Sequence, residues 1–181
     1  MHGNNDNFDA IASGDIPADL YHIDNGTFVE IDRRGEPVVQ VAGLGGTFAP
    51  TWYETPAADL PHPKKGTPKA TELADKRRHF VHEDVDACKA LSGIDILLTH
   101  EAARPFRPFA GGRGPDAGKI QINEILAAMR PRLHLFGHHH RFSEQEREGV
   151  TSIGLELVTT SYLLIDAVTF EYKRHDAARV V

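Results

Sequence analysis

Two short apolar runs, each preceded by a helical pattern and followed by histidine, constrain the fold of this chain most. Residues 94–99 have the pattern of a buried strand and end at His100, and Leu133–Phe136 is a second such run, followed by a Gly-His-His-His segment. The alternation of helix, strand, loop, helix and strand is the rhythm of α/β proteins. The closing strands have a more antiparallel character. The sequence therefore predicts a mixed β-sheet with helices on its faces.

Local patterns predict the other elements. The remaining expected strands are at residues 27–31, 37–42, 151–158, 162–166 and 169–172. The expected helices cover residues 71–79, a face formed by Val85, Cys88 and Leu91, and a face formed by Ile120, Ile125, Leu126 and Met129. Residues 33–35 are expected to form a tight turn. Residues 47–69 are rich in proline, threonine and charge, which favours a long surface excursion.

Composition limits the class of protein. A length of 181 residues suits one domain, residues 1–181, and the formal charge of -6 argues against a protein that coats nucleic acid with a basic face. A phosphorylated substrate remains compatible, because bound metal ions supply positive charge locally. Cys88 is the only cysteine, and we find neither a signal-peptide pattern nor an apolar run of about 20 residues. These features favour a cytoplasmic protein without a membrane anchor.

The histidines at the strand ends are candidates for metal ligands. In open α/β sheets, ligands bind at the carboxyl ends of the strands, where His100 and His138 would meet. In extended backbone His138 and His140 point to the same side, and Gly137 permits the chain to turn. Two other interpretations remain open. A histidine at a strand end is often structural or solvated, and three consecutive histidines can form a chance surface cluster.

Three segments together resemble the motifs of a known family. Residues 3–6 are similar to its Gly-Asn-His-Asp/Glu motif, residues 97–100 to its strand that ends in a metal-binding histidine, and residues 137–140 to its Gly-His-x-His motif. The order of the three segments also agrees. The chain thus resembles the calcineurin-like metallophosphoesterases. The resemblance implies a sandwich of mixed β-sheets flanked by helices.

The resemblance also implies a set of site residues. Asn4, His100 and His138 would bind one metal ion and His140 the other, with Mn²⁺, Fe or Zn²⁺ as the expected metals. The implied reaction is hydrolysis of a phosphomonoester or phosphodiester, in which the two ions activate water and neutralise charge on the phosphoryl oxygens. The expected partner is thus a phosphorylated small molecule or a phosphodiester.

Position 5 departs from the family motif. Asn5 replaces a histidine that is thought to protonate the leaving group, and an amide cannot act as a general acid. Good leaving groups or diester substrates are therefore expected. Asp6 would be a supporting residue that orients its neighbours. Arg104 and Arg107, and Arg113 with them, either hold a substrate phosphate or belong to a solvated loop.

The family's first motifs, Asp-x-His and Gly-Asp-x-x-Asp, do not precede Gly3. The expectation is an N-terminally truncated domain, the C-terminal portion of the family fold, without its first strands and lacking a βαβ unit of at least ~30 residues. Such a chain is expected to bind metal weakly, to show little turnover, and to self-associate through the exposed edge. Two alternatives are a non-catalytic interaction module with a degenerate metal site, and a single-metal hydrolase that uses Asn4, His100 and His138.

Overall fold

The computed structural model describes residues 1–33, 35–62, 75–109 and 114–177. The helices are α1 (Phe8–Ser13), α2 (His82–Ala90) and α3 (Ile120–Met129), with short 3₁₀ turns at Ala57–Asp59 and Lys76–Arg78. The strands are β1 (Phe28–Arg33), β2 (Glu36–Leu44), β3 (Thr47–Phe48), β4 (His79–Phe80), β5 (Ile96–Thr99), β6 (Leu133–Phe136), β7 (Ser143–Arg147), β8 (Val150–Gly154), β9 (Ser161–Ile165) and β10 (Tyr172–Asp176). The chain is thus a mixed α/β structure with a mainly sheet core.

The central feature is a six-stranded sheet with the strand order β1-β2-β5-β6-β8-β7. Its middle strands, β2, β5, β6 and β8, are parallel, whereas β1 and β7 pair antiparallel at the two edges. Thr99 pairs with Leu44 on one side and with Phe136 on the other. Because these residues end their strands, the loops that follow β2, β5 and β6 leave the sheet at the same edge.

Helices α2 and α3 cover one face of this sheet. Val85 and Cys88 of α2 and Ile122 and Ile125 of α3 are fully buried in a cluster that also contains Leu97 of β5. Burial of such side chains contributes about 1.5–3 kcal/mol each relative to exposure. Both helices predicted at these places are confirmed, although Leu91, assigned to the first helical face, follows the end of α2 in extended backbone. The prediction that Ile120 packs in the core is wrong, since this residue, at the start of α3, is 50% exposed.

The other face carries a second apolar cluster. Val41, Leu135 and Ile153 are buried there, and Leu163 of β9 and Tyr172 of β10 pack against them. These last two strands form a separate antiparallel hairpin. The sheet therefore lies between helices on one side and a β-hairpin on the other.

Several boundaries differ from the sequence prediction. The prediction missed α1, β7 and β3, which lies at the start of the surface excursion expected at residues 47–69; residues 63–69 lie outside the described residues. The helix expected at residues 71–79 is wrong where the structure describes it, because residues 75–79 contain a 3₁₀ turn that leads into β4, and residues 71–74 lie outside the described residues. The predicted strand at 169–172 is shifted, since β10 begins at Tyr172. The expected turn at 33–35 joins β1 to β2, with Gly35 at φ +97°; Arg34 lies outside the described residues.

In the described part of the chain, no helix is both long enough and apolar enough to cross a bilayer.

Candidate metal centre

His100 stands directly after β5, at the edge where the parallel strands end. Its backbone N–H donates to the carbonyl of Leu44, 3.1 Å away, so the end of β2 holds the backbone of this residue. His138 follows β6 by two residues, and β6 is the direct neighbour of β5. The sheet thus brings together two histidines that lie 38 positions apart in sequence.

Three donor atoms converge at this edge. The Nε2 atom of His100 lies 3.0 Å from Oδ1 of Asn4 and 2.9 Å from Nδ1 of His138. The two imidazole rings meet edge to face, with 4.7 Å between their centroids. We call Asn4, His100 and His138 the His100 cluster. The structure brings together the three residues that the sequence assigned to one metal ion.

Glycines let the N-terminal segment reach the cluster. The backbone N–H of Gly46 donates to the carbonyl of His2, and a Cβ atom on Gly45 would lie only 2.6 Å from that oxygen. Gly45 is held in place by Asn25, whose Oδ1 accepts its N–H at 2.7 Å. A side chain at position 45 would therefore push Asn4 away from His100.

The residues after Asn4 support the same segment. Asp6 Oδ2 accepts the backbone N–H of Gly3 at 2.7 Å. Asn5 Oδ1 accepts from Nη2 of Arg78 at 3.3 Å. No sequence signal links position 5 to Arg78, whose guanidinium lies beside the residue that replaces the motif's histidine.

The Gly-His-His-His segment is a turn, so the expectation of extended backbone is wrong. His138 and His140 both have positive φ, +62° and +50°, and the N–H of His139 donates to the carbonyl of Gly137 at 2.7 Å. The rule that residues i and i+2 share one side applies to extended chains and does not hold here. His138 joins the His100 cluster. His140 is exposed, and it is not one of the residues whose side-chain atoms meet at His100 Nε2.

Burial keeps the central imidazole neutral. Desolvation, and after it the neighbouring His138, lowers the pKa of His100 to about 4, whereas Asp6 acts in the opposite direction. A neutral imidazole is the form that binds a metal ion. Burial also lowers the pKa of His139 to about 4, but that ring packs on Phe106, with 4.8 Å between centroids. His139 is therefore a packing residue.

The spacing of the cluster atoms provides a test of metal fit. Two atoms bound at a right angle, each about 2.1 Å from one ion, are about 3 Å apart. The two distances, 3.0 and 2.9 Å, are those of hydrogen bonds in this structure, and they are also close to the spacing of two ligand atoms on one ion. An amide oxygen with two imidazole nitrogens suits Mn²⁺, Fe or Zn²⁺. Within residues 1–33, 35–62, 75–109 and 114–177, no three His, Cys, Asp or Glu side chains form a group that could hold a metal ion.

A buried polar chain begins beside the cluster. Thr99 precedes His100 and donates its hydroxyl proton to the carbonyl of Glu101. Its oxygen must then accept from Nε2 of His134, 2.7 Å away, and Nδ1 of His134 accepts from the hydroxyl of Ser152 at 3.0 Å. His134 is fully buried, which lowers its pKa to about 3. Sequence reasoning missed this residue because it lies inside the apolar run of β6.

The two candidate phosphate-binding arginines lie elsewhere. Arg104 and Arg107 line a separate pocket of about 400 Å³, whose lining does not include the His100 cluster. Nε of Arg104 forms an ion pair with Asp116 at 2.7 Å. Arg113 lies outside the described residues.

Comparison with known proteins gives a partial relationship. Two proteins, both named metallophosphoesterase domain-containing protein 1, from Homo sapiens and Mus musculus, are each 32% identical to this chain over 82 residues. The match covers 45% of this chain and 22% of each relative. The chain is a distant, partial relative of these metallophosphoesterase domain proteins. It spans about a fifth of the length of the relatives it matches.

Two further comparisons bear on family and fold. No family model matches the chain. A solved crystal structure aligns with a TM-score of 0.62 at 13% sequence identity, covering 97% of this chain and 64% of that chain. At this identity the alignment bears on the fold alone, and it supports a compact α/β fold.

Proposed function

We propose that this chain carries the metal-binding edge of a phosphoesterase and that the His100 cluster binds one divalent ion. The observation that carries the proposal is that Asn4 Oδ1 and His138 Nδ1 both lie within about 3 Å of His100 Nε2. The partial similarity to metallophosphoesterase domain proteins supports the same reaction class. The substrates would be phosphomonoesters or phosphodiesters.

A bound ion would act as a Lewis acid toward a phosphoryl oxygen and would lower the pKa of a bound water. The chain itself contributes positioning. Arg78, fixed on Asn5, supplies a permanent positive charge beside the site, and its guanidinium does not donate protons at neutral pH. Asn5 has no acidic proton to give either. The site therefore favours substrates whose leaving group departs without protonation.

The affinity for metal should be low. The three donor groups of the His100 cluster are neutral, so no ligand compensates the charge of a dication. Asp6 supplies a nearby negative charge that reaches His100, where it opposes the larger effect of burial, which lowers the pKa of that histidine. His140 as the ligand of a second ion remains part of the proposal, although it would need the segment at Gly137–His139 to rearrange. We accordingly propose weak metal binding and slow turnover.

Hydrolysis of bis(p-nitrophenyl) phosphate and p-nitrophenyl phosphate tests the proposed function. We expect slow release of p-nitrophenolate that requires added Mn²⁺ or Zn²⁺ and stops in EDTA. Alkyl phosphates should react much more slowly, because an alkoxide leaves only with a proton. Turnover that persists unchanged after exhaustive chelation would refute the metal-dependent mechanism.

A non-catalytic module is the second candidate, and the neutral donor set favours it. In that case the fold and any partner binding would be the same with and without chelator, and p-nitrophenolate release would stay at the rate of buffer containing metal alone.

Removing the charge of Asp6 provides a graded prediction. Asp6→Asn keeps an oxygen that can accept the N–H of Gly3 but removes the negative charge near His100. We expect Mn²⁺ affinity to fall about tenfold, the lower range for residues that support metal ligands. Calorimetric titration measures this change. Asp15→Asn, which removes a charge elsewhere in the same segment, should leave the affinity unchanged, and an equal loss in both variants would contradict a local role for Asp6.

A further inference from the structure

A pocket of about 400 Å³ lies between α3, the loop after β5, the edge strand β7 and its neighbour β8. Its volume is in the range of small-molecule sites. Part of its wall is apolar, formed by Leu126, Phe136 and Val150. None of the cluster residues Asn4, His100 and His138 lines it. The pocket is therefore a concavity separate from the candidate metal centre.

Positive charge dominates the lining. Five arginines line the pocket, against two glutamates; the arginines are Arg104, Arg107, Arg130, Arg141 and Arg147. They come from four separate parts of the chain, so the fold rather than a local charge run gathers them. Guanidinium groups bind phosphate and carboxylate with paired N–H donors. Such a concentration around an apolar wall favours an anionic ligand.

One of the two glutamates is engaged on the other face of the sheet. Side chains alternate along β7, so Ser143, Gln145 and Arg147 share a side and Glu144 points away. Glu144 accepts a hydrogen bond from Tyr172, a residue of the hairpin on the opposite face; burial and this bond raise the pKa of Tyr172 to about 12. The charge inside the pocket is accordingly more positive than the lining residues alone suggest.

Arg104, Arg141 and Arg147 keep N–H donors for a ligand. Arg104 uses Nε for Asp116, and Arg147 uses Nη1 for the carbonyl of Arg104 at 2.8 Å. Arg141 uses Nη1 for the carbonyl of Pro108. Because each guanidinium carries five N–H donors, these bonds orient the groups without exhausting them.

The polar wall also offers an acceptor. Ser152 lines the pocket and gives its hydroxyl proton to His134, so its remaining lone pairs can accept a hydrogen bond. Buried His134 fixes this orientation through Thr99. A ligand with a donor group near its anion would therefore gain an additional contact.

We propose that this pocket binds a small organic phosphate, a phosphomonoester whose apolar body lies on Leu126, Phe136 and Val150 while the arginines hold the phosphate. The proposal does not rest on the hydrolase function, because it concerns binding alone and requires neither metal nor turnover.

The test is calorimetric titration of the whole chain with phenyl phosphate in EDTA, which removes metal from the His100 cluster. We expect a Kd of about 1 mM or lower. Benzoate, which has the same body but one negative charge, should bind several-fold more weakly. The absence of phenyl phosphate binding, or tighter binding of benzoate, would overturn the proposal.

Matched variants locate the ligand. Ala127→Trp fills the pocket from α3, whereas Ala128→Trp places the same side chain at the adjacent exposed position outside the lining. Arg130→Gln removes a charge from the pocket, and Arg132→Gln removes one from the Phe170 contact instead. We expect Ala127→Trp and Arg130→Gln to weaken binding about tenfold or more, and the two control variants to bind as the parent does.

Two results would contradict this location. Ala127→Trp that folds, by circular dichroism, and binds phenyl phosphate as the parent does would place the ligand elsewhere. Loss of binding in His100→Ala, with Ala127→Trp and Arg130→Gln unaffected, would place the phosphate at the candidate metal centre. The latter outcome refutes the pocket without refuting the proposed hydrolase, so the two proposals fail separately.

Discussion

Replacement of His138 by alanine is expected to weaken binding of the Mn²⁺ or Zn²⁺ ion at the His100 cluster by more than about 100-fold, whereas His140→Ala should leave binding of that ion almost unchanged. His138 contributes one of the three donor atoms at His100 Nε2, at 2.9 Å. Loss of a residue that only supports a metal ligand already weakens binding about 10- to 100-fold, so loss of a ligand itself should exceed that range. His140 is exposed and outside the cluster, so its removal deletes no donor.

The pair of variants is internally controlled, because both remove an imidazole from the same turn and both positions have positive φ. Equilibrium dialysis measures affinity, and p-nitrophenolate release measures turnover under saturating metal. If a single ion suffices for hydrolysis, turnover should be lost in His138→Ala and kept in His140→Ala. Similar losses of affinity in both variants would show that the turn rearranges and that His140 also binds metal.

Sequence reasoning reached the His100 cluster because its strands are unambiguous. The runs that became β5 and β6 are short, apolar and bounded by turn residues, so their parallel pairing and shared edge follow from general rules of α/β sheets. That pairing alone brings His100 and His138 together. Asn4 could be assigned to the cluster only through the motif resemblance. Its position near His100 depends on the close contact of Gly45 with His2, and such a contact leaves no periodic pattern in the sequence.

The missed features depend on tertiary contacts. The turn at Gly137–His139 overrides the extended backbone assumed for His140, and the contact of Arg78 with Asn5 joins residues 73 positions apart. Helix α1 carries local signals, with Asn7 as N-cap and Gly14 in the left-handed conformation at its end. It has six residues and buries none of them, so it lacks the apolar periodicity that reveals longer helices.

Acid should destabilise the fold, with the fully buried His134 making the largest single contribution. Burial lowers its pKa from 6.5 to about 3. Between these values the unfolded chain binds a proton that the folded chain excludes, so the free energy of unfolding falls as the pH falls. From pH 7 to pH 5 this one residue accounts for a loss of about 2 kcal/mol. His2, His100 and His139, each with a pKa of about 4, change stability in the same direction.

His134→Gln isolates this contribution. A glutamine amide can still donate to Thr99 but does not titrate, so the variant should be less stable than the parent at pH 7 and should lose about 2 kcal/mol less on acidification to pH 5. Urea denaturation at the two pH values gives both free energies of unfolding. The bonds to Thr99 and Ser152 do not allow a charged imidazole at position 134, because Nδ1 of His134 serves there as an acceptor. An unchanged pH dependence in His134→Gln would contradict this, since it would mean that the folded protein accommodates the protonated ring.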